Sequence, residues 1–131
     1  MTDRYGVIGH PIAHSKSPVI HRLFAEATGQ DLVYEAWDIA PDELIERVRQ
    51  LFAEGVRGLN VTVPHKTEVG RVASRLSSRA ELAGAVNTLI VHADGTIEGD
   101  NTDGTGLVND LRQNLRLRLA GTRILILGAG G

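Results

Sequence analysis

Asn60-Val61-Thr62-Val63-Pro64-His65-Lys66 is the stretch from which the fold is read. Its first four residues alternate polar and apolar side chains of strand-favouring types, the pattern of a half-buried β-strand. Asn60 and Thr62 then share one face, and Val61 and Val63 the other. Pro64 lacks an amide hydrogen and biases Val63 towards extended backbone, so the strand is expected to stop there and release His65 and Lys66 into a loop. One strand end thereby offers an amide, a hydroxyl and an ammonium. Such a set suits an uncharged, hydroxyl-rich ligand, with Lys66 available for proton transfer. An ordinary strand followed by a surface lysine would carry the same pattern.

Upstream, residues 5–9 read as a short buried strand ended by Gly9 and His10-Pro11. Ser17 is placed to cap a following helix, with Pro18 in its first turn and Gly29 as its stop. Val19, Ile20, Leu23, Phe24 and Ala27 repeat at helical spacing and are expected to form its core face. Residues 33–38 suggest a second strand. A second helix opens at Pro41, Asp42 and Glu43, carries a stripe of Leu44, Ile45, Val48, Leu51 and Phe52, and ends at Gly55. Strand, helix, strand, helix, strand predicts parallel strands joined by right-handed crossovers, the last strand spanning 58–63.

Downstream, residues 66–76 are expected to be helical, with a further turn at 78–83. Strands at 87–91 and 96–99 flank Asp94-Gly95, which favours a hairpin and makes the sheet mixed. A helix beginning near Asp103 aligns Leu107, Val108, Leu111 and Leu115, with Arg112, Arg116 and Arg118 in its last turns. An apolar strand at 123–127 leads into Gly128-Ala129-Gly130-Gly131. The expected class is α/β: a mixed, mostly parallel sheet flanked by helices, followed by the first strand of an incomplete Rossmann domain.

A chain of 131 residues suffices for one domain, or one domain plus a fragment of another. With 42% hydrophobic residues, 23% charged residues and a formal net charge of −2, nothing favours nucleic acid or an anionic membrane. The absence of cysteine excludes disulfides, thiolate chemistry and cysteine zinc sites. No apolar run approaches the ~20 residues of a membrane span. A soluble, cytoplasmic protein that binds a small molecule is expected.

Ser15 and Ser17 precede a helix and suit a ligand carboxylate or hydroxyl, although Ser17 would also serve as a cap alone. Asn87 would equally bond its own backbone. Asp103, in a first helical turn, is expected to be ionised and able to pair with Lys66 across a cleft. Gly104 and Gly106 suit a close approach by backbone or ligand. Pro11 separates His10 from His14 and no metal-binding helix pattern occurs, so no metal site is expected; His65 reads as a neighbour of the site. Gly128-x-Gly130 begins a dinucleotide-binding turn, without the third small residue, helix and acidic or arginine position of the full motif.

Four segments, Ser15-Lys16-Ser17, the opening stretch, Ala83-Gly84-Ala85-Val86-Asn87-Thr88 and Gly99-Asp100-Asn101-Thr102-Asp103-Gly104, resemble the shikimate dehydrogenase family in order and spacing. The resemblance implies Lys66 and Asp103 as the catalytic pair. It assigns Ser15, Ser17, Asn60, Thr62 and Asn87, together with that pair, to the carboxylate and hydroxyls of shikimate or 3-dehydroshikimate. It implies a substrate-binding domain over 1–102, a linker helix over 103–120, and in 121–131 the first strand and glycine turn of an NADP-binding Rossmann domain. Gly128, Ala129, Gly130 and Gly131 would belong to the cofactor turn, and a monomer or homodimer is implied.

Family members continue well past residue 131, so the chain reads as a truncated piece. NADP is then a cofactor of the intact enzyme that this chain alone is not expected to bind, and the isolated chain is expected to be inactive. The alternatives are a quinate/shikimate dehydrogenase and a non-catalytic shikimate-binding module.

Overall fold

A computed structural model describes residues 1–128 and Gly130. Six strands form one sheet in the order β2-β1-β3-β5-β6-β4. They are β1 (Asp3–Gly9), β2 (Leu32–Asp38), β3 (Val56–Val61), β4 (Arg75–Leu76), β5 (Thr88–Val91) and β6 (Ile97–Asp100). The helices are α1 (Ser17–Thr28), α2 (Leu44–Ala53), α3 (Ser78–Ala83) and α4 (Asp103–Asn109). β1 pairs in parallel with both β2 and β3, as the alternation of strands and helices predicts. β5 is antiparallel to β3 and to β6, so the sheet is mixed.

One face of the sheet is sealed. Ile8, Leu59, Val61 and Leu89 meet Leu44, Val48 and Leu51 of α2, together with Val69, Val72 and Ala80. The α2 stripe is the expected one, with Ile45 and Phe52 at its margin. The 3₁₀ turn Pro41–Glu43 leads into this helix, and Gly55, at φ 92°, follows it. The opposite face is only partly covered. α1 packs over β2 and the near side of β1, while Tyr5, Gly58, Asn60, Thr88 and Ile90 line an open groove of about 270 Å³.

That asymmetry corrects the α1 expectation. Ala25 is its buried residue, whereas Val19, Ile20, Leu23 and Phe24 are 52, 43, 52 and 60% exposed. The helix is amphipathic, but among the described residues no element lies across from much of its apolar stripe. Its start also differs. Lys16 precedes the helix without a side-chain cap, and Ser15 Oγ accepts the Ser17 N–H at 3.2 Å. Ser17 is already the first helical residue, so Ser15 rather than Ser17 satisfies that donor.

Residues 66–76 form no long helix. A 3₁₀ turn, Val69–Val72, drops Val69 and Val72 into the core, and β4 follows on the sheet edge. β3 ends at Val61, although Thr62 N–H still donates to Ile8 O at 3.0 Å. α3 forms as expected, capped by Ser77 Oγ, which accepts from Ala80 N–H. In the β5–β6 hairpin, Gly95 takes φ 82° and Asp94 Oδ1 accepts both the N–H and the hydroxyl of Thr96.

The last expected elements are shorter or absent. α4 ends at Asn109 and continues as one π-helical turn, Asp110–Asn114, so the linker helix does not reach residue 120. Residues 123–127 form no strand, with Ile124, Leu125, Ile126 and Leu127 between 61 and 89% exposed. An extended apolar segment becomes a strand only when another strand pairs its amides and carbonyls. Here none lies alongside among the described residues.

Candidate active site

Lys66 and Asp103 meet. Lys66 Nζ donates to Asp103 Oδ2 at 2.6 Å, with the lysine side chain 18% exposed and the carboxylate 51% exposed. Lys66 follows β3 through the turn in which His65 N–H donates to Thr62 O. Beyond it, Lys66 O accepts from Val86 N–H, which ties this turn to the segment bearing Asn87. Asp103 opens α4, and its N–H donates to Asn101 Oδ1 at 3.0 Å. A carboxylate at a helix start is favoured by the positive end of the helix dipole.

Asn87 holds the pair together. Its Nδ2 donates to Asp103 Oδ1 at 3.0 Å and to Thr102 Oγ1 at 2.8 Å. Its Oδ1 accepts from Thr102 N–H at 3.0 Å and from the Thr88 hydroxyl at 2.8 Å. A side-chain amide has two donor protons and two acceptor lone pairs, so the protein saturates this one. A ligand hydroxyl at Asn87 must displace a partner.

Asn60 retains capacity. Its Oδ1 accepts from the Tyr34 hydroxyl at 2.7 Å, and Nδ2 faces Thr88 Oγ1 at 3.4 Å. One Nδ2 proton therefore remains for a ligand. Burial pushes the Tyr34 phenol far up, partly offset by a hydrogen bond with Ser17. Asn60, Asn87, Asp103 and Lys66, expected from the sequence, are thus linked through Thr88 and Asn87, and Tyr34 joins the row at Asn60. Ser15 Oγ accepts the Ser17 N–H, and neither Ser15 nor Thr62 makes a side-chain hydrogen bond to Asn60, Asn87, Asp103 or Lys66 among the described residues.

Two anchors lay outside the candidate residues. Asp100 accepts from Arg79 through Nε at 2.7 Å and through Nη2, from Ser77 Oγ at 2.6 Å, and from Asn101 N–H at 2.7 Å. The Arg79 guanidinium and these donors hold its carboxyl well below the usual carboxylate range, against the opposing effect of burial. Asn101 Nδ2 donates to Ala85 O at 3.0 Å. Together they fix the turn that presents Asp103. Their signal was present in the Gly99 to Gly104 segment, where a buried acid three residues before the start of a helix needs a partner, but Arg79 lies about twenty residues away.

His65 and His10 are held by contacts within the fold. His65 is 1% exposed and its Nε2 faces Ile39 O at 2.8 Å. His10 Nδ1 meets Asp38 Oδ1 at 2.5 Å across the ends of β1 and β2, which lowers the Asp38 carboxyl. Among the described residues, nothing outside the helix's own backbone lies within 4 Å of a Cβ built at Gly104 or Gly106, so crowding by them does not explain either glycine. Of the expected cofactor turn, Ala129 and Gly131 lie outside the described residues. Gly128 has φ 111°, a conformation that favours glycine. The unpaired segment before it leaves the described residues without the strand on which such a turn is built, so they do not fit a dinucleotide as they stand.

The family model for the shikimate dehydrogenase substrate binding domain matches residues 7–89. The chain belongs to this family. The NADP(+) shikimate dehydrogenase of Methylococcus capsulatus is 60% identical over 129 residues, covering 98% of this chain and 46% of that protein. The corresponding protein of Thioalkalivibrio sulfidiphilus is 58% identical over 129 residues, with 98% and 47% covered. Among solved structures, an Ael1 enzyme from Pseudomonas putida superposes with a TM-score of 0.93 at 46% identity, covering 98% of this chain and 47% of that one. A Thermus thermophilus shikimate 5-dehydrogenase in complex with shikimate gives 0.84 at 35% identity, with 92% and 46% covered. The chain spans about half the length of the curated relatives it matches. The shikimate dehydrogenase match covers the sheet from β1 into β5, and thus Ser15, Ser17, Asn60, Thr62, Lys66 and Asn87, while Asp103 lies beyond residue 89.

Proposed function

We propose that this chain is the substrate-binding part of an NADP-dependent shikimate dehydrogenase, which reversibly reduces 3-dehydroshikimate to shikimate. The carrying observation is the Lys66–Asp103 pair, locked by Asn87 at the mouth of the sheet. Residues 1–102 bind the substrate, 103–120 make the connection, and 121–131 belong with the cofactor-binding part. The enzyme is cytoplasmic, in keeping with the absence of cysteine from these 131 residues, and works as a monomer or homodimer.

An ammonium carries three donor protons and Asp103 takes one, so Lys66 can face a ligand oxygen while still held. In the direction of reduction, Lys66 supplies the proton to the ketone oxygen, directly or through a water, and recovers it from solvent. Asp103 keeps the ammonium aimed and receives a substrate hydroxyl. Asn60 donates its remaining Nδ2 proton to another hydroxyl, and the start of α1, with Ser15 and Ser17, receives the carboxylate. Hydride chemistry belongs to the nicotinamide of the full enzyme.

Titration of the chain with shikimate and with quinate, followed by NMR and calorimetry, tests this reading. Shikimate is expected to saturate and to shift the signals of Asn60, Lys66, Asn87 and Asp103. Saturation by neither acid, or a preference for quinate, overturns the assignment.

A further inference from the structure

Thr102 N–H donates to Asn87 Oδ1, and a backbone amide cannot accept. This one bond gives direction to a whole row of side chains. Asn87 must turn its Nδ2 to Asp103, and the Thr88 hydroxyl, at 2.8 Å from the same Oδ1, must donate to it. With its proton used there, Thr88 accepts from Asn60 Nδ2. Asn60 Oδ1 is then turned towards Tyr34, whose hydroxyl must be the donor. Burial keeps that phenol protonated, and its ring is clamped flat against His21, with centroids 3.9 Å apart and planes within 10°. His21 is itself held by a Nδ1 bond to Ser17 O at 3.0 Å.

We propose that Tyr34 and Thr88 are positioning residues: between them they decide which end of the Asn60 amide faces the ligand and keep Asn87 in line with Asp103. The inference rests on the shikimate reading for its ligand, but not for its geometry. Rotating the Asn60 amide by half a turn would present a carbonyl in place of an N–H, and would set Oδ1 against a Thr88 hydroxyl whose proton is already given to Asn87. The row therefore makes the site read a hydroxyl oxygen at Asn60 as an acceptor. Neither residue needs to touch the ligand to do this, which is why neither stands out as a site residue. Both line the open groove, and Asp103 and Lys66 lie at the far end of the row.

The test uses the whole 131-residue chain and three substitutions, Tyr34→Phe, Thr88→Val and Thr88→Ser, each checked for folding by its backbone spectrum. Two readouts are taken: the side-chain amide resonances of Asn60 and Asn87 without ligand, and shikimate affinity by calorimetry. Tyr34→Phe and Thr88→Val are expected to shift or split the Asn60 resonances and to weaken shikimate by about tenfold, the loss of one oriented hydrogen bond. Thr88→Ser, which keeps the hydroxyl, is expected to restore both. A purely structural role would leave Asn60 unchanged, or would be rescued no better by Ser than by Val; either result overturns the proposal. If Thr88→Val does not fold, Tyr34→Phe decides by the same readouts. If the unsubstituted chain ignores shikimate, the substrate reading fails, while the Asn60 and Asn87 resonances still support or overturn the positioning role.

Discussion

The Nδ2 of Asn87 donates to Oδ1 of Asp103 at 3.0 Å, leaving Oδ2 of the same carboxylate to Lys66. The two oxygens thus have separate duties, and the amide decides which one meets the ammonium. Asn87→Ala strips partners from Thr88, from the Thr102 N–H and from Asp103 at a position only 8% exposed. Unsatisfied groups of this kind cost about 1–3 kcal/mol, so denaturant unfolding should show a loss of that size together with weaker shikimate binding. Unchanged stability would mean that water replaces the amide freely.

In an enzyme containing this sequence, Lys66→Ala should lower kcat by roughly 10²–10⁴ while KM moves far less, as expected for a proton donor acting in the transition state. Steady-state kinetics with shikimate checks this. A rise in KM at constant kcat would reassign Lys66 to binding alone.

The carboxyl of Asp100 titrates below its ordinary range because Arg79, Ser77 and Asn101 hold the ionised form. A depressed folded value stabilises the protein above the unfolded value, ~3.9, and the contribution is lost as pH falls towards the folded one. Unfolding free energies measured at pH 7 and pH 3 should differ more in the unsubstituted chain than in Asp100→Asn. Equal pH dependence in both would show that Asp100 does not carry the acid sensitivity. Because the same carboxylate anchors the turn before α4, Asp100→Asn should also weaken the ligand site at neutral pH.

Gly9 ends β1 beside the residues that follow β3. A Cβ there would lie 2.7 Å from Thr62 Cγ2 and 2.9 Å from Ile12 Cδ1. Gly9→Ala should therefore displace Thr62, destabilise the fold by about 1–3 kcal/mol and reduce shikimate affinity. Thermal unfolding and calorimetry on the same sample measure both effects. Wild-type affinity in a folded variant would remove Thr62 from the site.

Much of this architecture was legible because its signals are local. The α2 stripe and Asp94-Gly95 each require only neighbours a few residues apart, and both formed as read, whereas the strand expected over 58–63 runs from Val56 to Val61 and leaves Val63 68% exposed. The α1 stripe was equally clear as a pattern, yet periodicity says that a face is apolar without saying what lies opposite. Residues 123–127 failed for the same reason, since strand pairing needs a partner that the segment does not contain. At the site, motif spacing supplied the candidate residues. Which oxygen faces which nitrogen came from contacts between β2, β3, β5 and the start of α4, elements as much as 69 positions apart between Tyr34 and Asp103.

Residue types and their order thus set the elements, the mixed sheet and the identity of Asn60, Thr62 and Lys66 as neighbours on one strand end. Folding alone brought Lys66 within 2.6 Å of Asp103 and saturated Asn87. Hydrogen-bond direction was likewise a tertiary outcome: a side-chain amide has no preferred end until a fixed backbone donor, here the N–H of Thr102, meets it.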